Sequence, residues 1–317
     1  MPFRPAREWS RATVRAILRT RQRADGLTPT DRFKSSRTGA PAQMKHWQID
    51  QLPWDEFDPA RVDPQLVPAI KAAAVVERNS VDYAIYLNNV FHDDPDFKQA
   101  ADHWAVEEIQ HGDALGRWAM LADPEWDYQA AFQRYRDFYH IPLEVDQSVR
   151  GSRTGELIAR CMVETGTSSF YSALADATEE PVLKALCKQI AADEFRHFKL
   201  FYDHMHRYLK RERISTLQRA RIALGRVTES EDDELASAYY TTNEPPSLPY
   251  DHNRCIAAYM SRAMKNYQPR HLRRVTSMVF KTIGLTPHSK VQDLAFFVTE
   301  KLFFSRQRKF ARMAGVS

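Results

Sequence analysis

The chain has 317 residues, 43% of them hydrophobic and 11% aromatic, which is enough to bury a large core and excludes a disordered polymer. Glycine is scarce, at 10 residues, and alternating β-branched runs are few, so the composition points to an all-α fold. Net charge is only +4, and three widely separated cysteines (Cys161, Cys187, Cys255) exclude a disulfide framework and suit reduced thiols in a cytoplasmic setting.

No stretch approaches the roughly 18 uninterrupted apolar residues of a membrane span, and the N-terminal stretch lacks the apolar centre of a secretion signal. The charge average conceals a division. Residues 1–45 carry 11 Lys/Arg against 3 Asp/Glu, residues 207–226 carry 7 against 1, and residues 262–312 carry 12 against 2. The rest of the chain holds 15 basic against 35 acidic groups, so an acidic body wears basic appendages.

In chain order, residues 1–68 read as a basic N-terminal arm followed by a surface-crossing segment. Arg7, Arg11, Arg15 and Arg19 form one basic helical stripe, and the Pro- and Asp-rich residues 46–68 favour turns over long helices. Over 69–209 the pattern predicts helices at about 69–92, 96–122, 127–140, 151–178 and 181–209, punctuated by Pro68, Pro95 and Pro181. Four long helices with short connections within each half are expected to make a four-helix bundle. Residues 210–317 form a C-terminal helical extension: a basic helix to Arg226, an acidic one near 231–240, and two or three basic amphipathic helices.

The chemistry lies in the middle of the four long stripes. Each stripe is apolar except for Glu77 on the first, Glu108 and His111 on the second, Glu164 on the third, and Glu194 and His197 on the fourth. A carboxylate on a buried face costs several kcal/mol unless it is paired or metal-bound, and no core-facing Lys or Arg stands near these in the stripes. Glu77 precedes Glu108 by 31 residues and Glu164 precedes Glu194 by 30, and each second glutamate is followed three residues on by a histidine. Positions i and i+3 share a helix face, so each Glu-x-x-His can offer oxygen and nitrogen to one ion. Two single glutamates with two Glu-x-x-His pairs match the ligand arrangement of di-iron and di-manganese carboxylate bundles. Trp104 and Trp118, on the stripe of Glu108, read as core packing; His92, His103, His140, His204 and His206 read as surface or ordinary core residues.

The segments WAVEEIQHGDAL (104–115) and IAADEFRHFKLF (190–201) resemble the two metal-binding helices of the soluble acyl-[acyl-carrier-protein] desaturases. The resemblance covers about residues 65–210 and implies a ferritin-like bundle with metal ligands Glu77, Glu108, His111, Glu164, Glu194 and His197. It also implies supporting roles for Asp193, Arg196 and Glu107, with Asp193 hydrogen-bonding a ligand histidine, and a place for Thr167 on the oxygen-facing side of the metal pair. The arm, the 46–68 region and the residues beyond 210 depart from the plant desaturase pattern.

The expected function is that of a di-iron oxidoreductase, with two Fe ions (Mn being the alternative metal), that uses O2 to desaturate a fatty acyl chain. The substrate would be carried on acyl carrier protein or as an acyl-CoA thioester, with electrons from a ferredoxin-type donor, in a cytoplasmic homodimer touching membrane at most peripherally. The rival readings are a di-iron hydroxylase, including one that modifies tRNA, and a non-enzymatic ferritin-like iron-binding protein. Basic residues of 207–226 (Arg211, Arg213, Arg219, Arg221) and of 262–312 (Arg270, Arg273, Arg274) are expected to meet an acidic carrier.

Overall fold

A computed structural model describes residues 47–228 and 233–315, so the basic arm with its Arg7–Arg19 stripe lies outside the described residues. Among those described, every regular element is a helix. The Pro- and Asp-rich stretch after Gln48 makes only single 3-10 turns, at Ile49–Gln51, Trp54–Glu56 and Pro59–Arg61.

One long helix was expected over 69–92, and the chain instead forms two, α1 (Val67–Arg78) and α2 (Ser80–Val90), divided at Asn79. The Asn79 N–H is shared between the Val75 and Val76 carbonyls at 3.2 and 3.1 Å, which tightens the turn. The Ser80 hydroxyl then donates to the Ala105 carbonyl at 3.0 Å and anchors the break to the next helix. Apolar spacing continues through Asn79, so the periodicity carries no sign of the division.

The other long elements keep their expected spans to within three residues. Helix α3 (Pro95–Ala122) starts at a proline, with Asp94 accepting from the Phe97 N–H at 3.0 Å. Helix α4 is Tyr128–Phe138, and α5 (Arg153–Ala177) is capped by Ser152, whose hydroxyl accepts from the Gly155 N–H at 3.0 Å. Helix α6 (Pro181–Glu212) is capped by the buried Glu180, and the short link Thr178–Glu180 turns it back along α5. Beyond it lie α7 (Thr216–Thr228), α8 (Asp233–Asn243), α9 (His252–Ala263), α10 (Pro269–Ile283) and α11 (Lys290–Met313).

From Gln48 onward the chain packs as one compact unit. Helices α1 and α2 lie along α3, α3 meets α6, and α5 pairs with α6 over most of their length. The C-terminal helices cover this core: α8 packs on α1, α10 on α5, and α9 bridges α8 and α11. One end is filled by Phe91, Phe97, Leu157 and Phe201, all fully buried, with Trp104 edge-on to Phe201 at 5.5 Å. Burial of each such side chain stabilises the fold by about 2 kcal/mol. At Gly112 an added Cβ would lie 2.6 Å from the Arg78 nitrogen and 2.7 Å from the Ala74 oxygen. Backbones of α1 and α3 therefore touch, and this close approach sets Glu77 beside Glu108.

Candidate metal centre

Each glutamate comes from a different helical run, Glu77 from α1, Glu108 from α3, Glu164 from α5 and Glu194 from α6, with His111 and His197 one turn after the second and fourth. All six side chains are buried. Their atoms converge in two overlapping groups, Glu77–Glu108–His111–Glu194 and Glu108–Glu164–Glu194–His197, and in each group one ligand atom per residue lies within 4.8 Å of all the others. Glu108 and Glu194 belong to both groups, and Glu77 and Glu164 to one each.

The imidazoles sit between the carboxylates. His111 Nδ1 lies 3.3 Å from Glu108 Oε2, 3.2 Å from Glu194 Oε1 and 3.8 Å from Glu77 Oε2. His197 Nδ1 lies 3.1 Å from Glu108 Oε1 and 3.8 Å from both Glu164 Oε2 and Glu194 Oε2. Their ring centroids are 5.7 Å apart. The outer nitrogens are held from behind: His111 Nε2 is 3.0 Å from Asp193 Oδ2 and His197 Nε2 is 2.7 Å from Glu107 Oε2. With Nε2–H donated to a carboxylate, each ring turns the lone pair of Nδ1 into the site. Arg196 ties the two supports together, donating to Asp193 Oδ1 at 2.5 Å and pairing with Glu107 Oε2 at 3.5 Å.

Two hydroxyls reach the same carboxylates. Thr167 Oγ1 donates to Glu194 Oε2 at 2.6 Å, and Tyr171 Oη donates to Glu77 Oε1 at 2.5 Å. Tyr171, a buried residue of α5, is not among the residues expected at the site. Its position seven residues after Glu164, two turns along the same face, is the signal that could have singled it out. The neighbouring Ser168 turns its hydroxyl to the Thr165 carbonyl at 3.2 Å and does not join the site.

Electrostatics without a cation is conflicted. Burial, then the neighbouring Glu108 charge, holds the Glu77 carboxyl well above its ordinary range; burial, then Glu194, does the same to Glu164. Burial also pushes Glu108 up, but a hydrogen bond from Glu77 and the charge of His197 outweigh it and leave Glu108 well below that range. Glu194 ends below its ordinary range because contacts with both histidines overcome burial and Glu108. Burial lowers both histidines, yet His111 is raised by hydrogen bonds to Asp193 and the glutamates, and His197 by the charge of Glu108 and the contact with Glu107. A cation bound among these groups would compete with protons for the same carboxylates and imidazoles.

Other buried carboxylates show what satisfaction by protein alone looks like. Glu180 accepts from the Leu183 N–H and from Trp118 Nε1, both at 2.7 Å, and from the Val182 N–H at 3.2 Å. Glu156 Oε2 accepts from Tyr86 and Ser148 at 2.8 and 2.7 Å. By contrast Glu164 Oε1, Glu194 Oε1 and His197 Nδ1 are buried and have no hydrogen-bond partner outside the cluster among the described residues. Among the described residues no Lys or Arg is ion-paired with the six: the buried Arg160 stacks over Tyr83 at 4.9 Å and Arg78 pairs with Asp113 at 2.9 Å. Carboxylate oxygens and imidazole nitrogens turned towards one another fit a divalent metal, and the oxygen-rich mixture suits iron or manganese over structural zinc.

Among the described residues the remaining histidines stay outside the centre. His204 lies against Phe97 with ring centroids 5.1 Å apart and contacts Arg207, while His206 stacks edge-on to Tyr202. An apolar cleft of about 250 Å³ runs between α6 and α10, with Phe195, Phe198 and Met278 in its wall and Arg274, Lys281 and His288 around it. Phe195 and Phe198 are the chain neighbours of Glu194 and His197. Comparison with protein-family models and with curated proteins returns no match to the chain.

Proposed function

We propose that the chain is a di-iron, dioxygen-dependent oxidoreductase on a ferritin-like four-helix bundle, acting as a desaturase on a fatty acyl chain carried as a thioester. The observation that carries this reading is the pair of four-residue groups sharing Glu108 and Glu194, a donor set that would hold two ions, with Glu108 and Glu194 within reach of both. When bound, two ferrous ions supply electrons to dioxygen and the oxidising power to remove hydrogen from an unactivated C–H bond.

The chain's own residues prepare that chemistry. Asp193 and Glu107 hold the two histidines in one tautomer and orientation. Thr167 keeps a hydroxyl proton on Glu194, and Tyr171 keeps one on Glu77, so both carboxylates are oriented before any ion arrives. Trp104, Leu157, Cys161 and Phe201 form an apolar wall beside the site that limits water. The apolar cleft lined by Phe195 and Phe198, which follow Glu194 and His197 in the chain, is bordered by Arg274 and Lys281 and supports a substrate with an aliphatic chain and an anionic carrier.

The test combines iron-loaded protein, a reductant and O2 with a panel of acyl thioesters on acyl carrier protein and on CoA. The expected result is an O2-dependent unsaturated product from at least one of them, read by mass spectrometry. A hydroxylated product would move the assignment to the hydroxylase reading. Iron bound without oxygen-dependent product from any thioester would overturn the substrate class.

A further inference from the structure

The C-terminal helix α11 turns an apolar stripe to solvent. Val291, Leu294, Val298 and Leu302 are 63%, 67%, 48% and 60% exposed, whereas the helix seats itself on the protein through Gln292, Phe296 and Phe310. At 100° per residue the four exposed aliphatics fall within about 80° of arc, so they form one continuous outer strip. Lys290, Lys301 and Arg308 border it on one side, and Lys309 and Arg312 continue its line towards the C-terminus. None of these five cations is ion-paired among the described residues. The acidic groups of the helix lie off this face, Asp293 being committed to Arg273 on α10 at 2.9 Å. Helix α10 adds exposed Arg270, Arg274 and Lys281 to the neighbouring surface.

An exposed aliphatic strip edged by uncompensated cations selects its partner by chemistry. A second copy of the chain would set Lys290, Lys301 and Arg308 against their equivalents, and like charges oppose that pairing. Among the described residues no helix is long and apolar enough to cross a membrane, so α11 is suited to lie on a bilayer, not to span it. We propose that α11 docks the protein on an anionic lipid surface, with Val291, Leu294, Val298 and Leu302 entering the headgroup–acyl boundary and the flanking cations meeting lipid phosphates. This goes beyond the redox reading and does not depend on it.

The experiment uses the full chain with vesicles of phosphatidylcholine alone and with roughly a third phosphatidylglycerol, read by co-sedimentation. The wild type is expected to bind the anionic vesicles about tenfold or more tightly than the neutral ones. Leu294→Ser with Val298→Ser removes apolar contact without adding charge and should weaken anionic-vesicle binding about tenfold. Lys301→Glu with Arg308→Glu should do likewise, and more salt should narrow its difference from wild type. Because all four side chains are exposed, thermal midpoint and metal content should stay unchanged, which separates this outcome from misfolding. Failure of the wild type to bind anionic vesicles overturns the proposal. So does wild-type vesicle binding by both variants, which would move any lipid contact elsewhere in the chain. A dimer that becomes monomeric in the serine variant while vesicle binding persists would assign the strip to a second copy.

Discussion

Glu107 Oε2 lies 2.7 Å from His197 Nε2, while the next residue on the same helix, Glu108, approaches the ring's other nitrogen at 3.1 Å. The same relation recurs from α6: Asp193 meets His111 Nε2 at 3.0 Å and Glu194 meets its Nδ1 at 3.2 Å. Adjacent acidic residues on one helix thus clasp the histidine of the other. Each acid–glutamate pair serves the opposite Glu-x-x-His, which locks α3 and α6 into one register at the site.

Replacing the supports tests this clasp. Glu107→Gln and Asp193→Asn should each weaken metal binding about 10- to 100-fold, because an amide no longer enforces the tautomer that aims Nδ1 inward. Glu156→Gln, at a buried carboxylate satisfied by hydroxyls, should leave metal affinity as it is. Titration with ferrous ion under anaerobic conditions measures all three; equal affinity in all would remove the supporting role.

Shared and unshared glutamates should differ in stoichiometry. Glu108→Ala and Glu194→Ala each strike both groups and should abolish stable binding at both positions. Glu77→Ala and Glu164→Ala each strike one group and should leave about one ion per chain where the wild type is expected to hold about two. Elemental analysis after desalting reads the count, and two ions retained in the Glu108 or Glu194 variant would end the shared-ligand reading.

Thr167 donates to Glu194, not to a structural carbonyl alone, and its removal should affect turnover more than metal content. Thr167→Val should keep its iron but slow coupled product formation roughly tenfold, the scale of one hydrogen bond to a charged group. Peroxide release should rise in step. A Thr167→Val enzyme with wild-type coupling would return the residue to helix packing.

Two glycines predict opposite signs. At Gly112 the added methyl meets backbone of α1, so Gly112→Ala should cost about 2 kcal/mol and lower metal content by moving Glu77 away from Glu108. Gly166, exposed within α5, has nothing within 4 Å of an added Cβ. Gly166→Ala should therefore stabilise by about 0.5–1 kcal/mol through helix propensity. Denaturant melts with and without metal distinguish the two.

Asp94 couples stability to pH. Burial pushes its carboxyl up, but hydrogen bonds from Tyr208 at 2.7 Å and the Phe97 N–H, with the charge of Arg207, hold it below the usual carboxylate range. The folded pKa being lowered, its contribution is present above the unfolded value of about 3.9 and disappears as pH falls through the lower folded value. Asp94→Ala should cost about 1–2 kcal/mol at neutral pH, with loss of the cap included. For Asp94→Asn, which keeps a capping oxygen, the deficit should shrink towards zero in acid. A deficit independent of pH would show that only the cap matters.

The helical order of this protein and its six central ligand candidates were legible in one dimension, because a 3.6-residue period marks a buried face and an ionisable group on that face has to be compensated. Spacing alone singled out Glu77, Glu108, His111, Glu164, Glu194 and His197, since each lies on an apolar stripe. What spacing could not carry is contact between helices. Apolar periodicity ran unbroken through Asn79, where a shared N–H and the Ser80 bond to α3 divide the helix. Tyr171 looked like any core aromatic until α5 met α1 and its hydroxyl found Glu77. Which glutamates are shared between the two groups, and which acid stands behind which histidine, follow from the relative rotation of α3 and α6. That rotation is set by side-chain packing between α3 and α6, as the backbone contact at Gly112 sets α1 against α3; both are interactions between residues far apart in the chain that leave no local pattern in it.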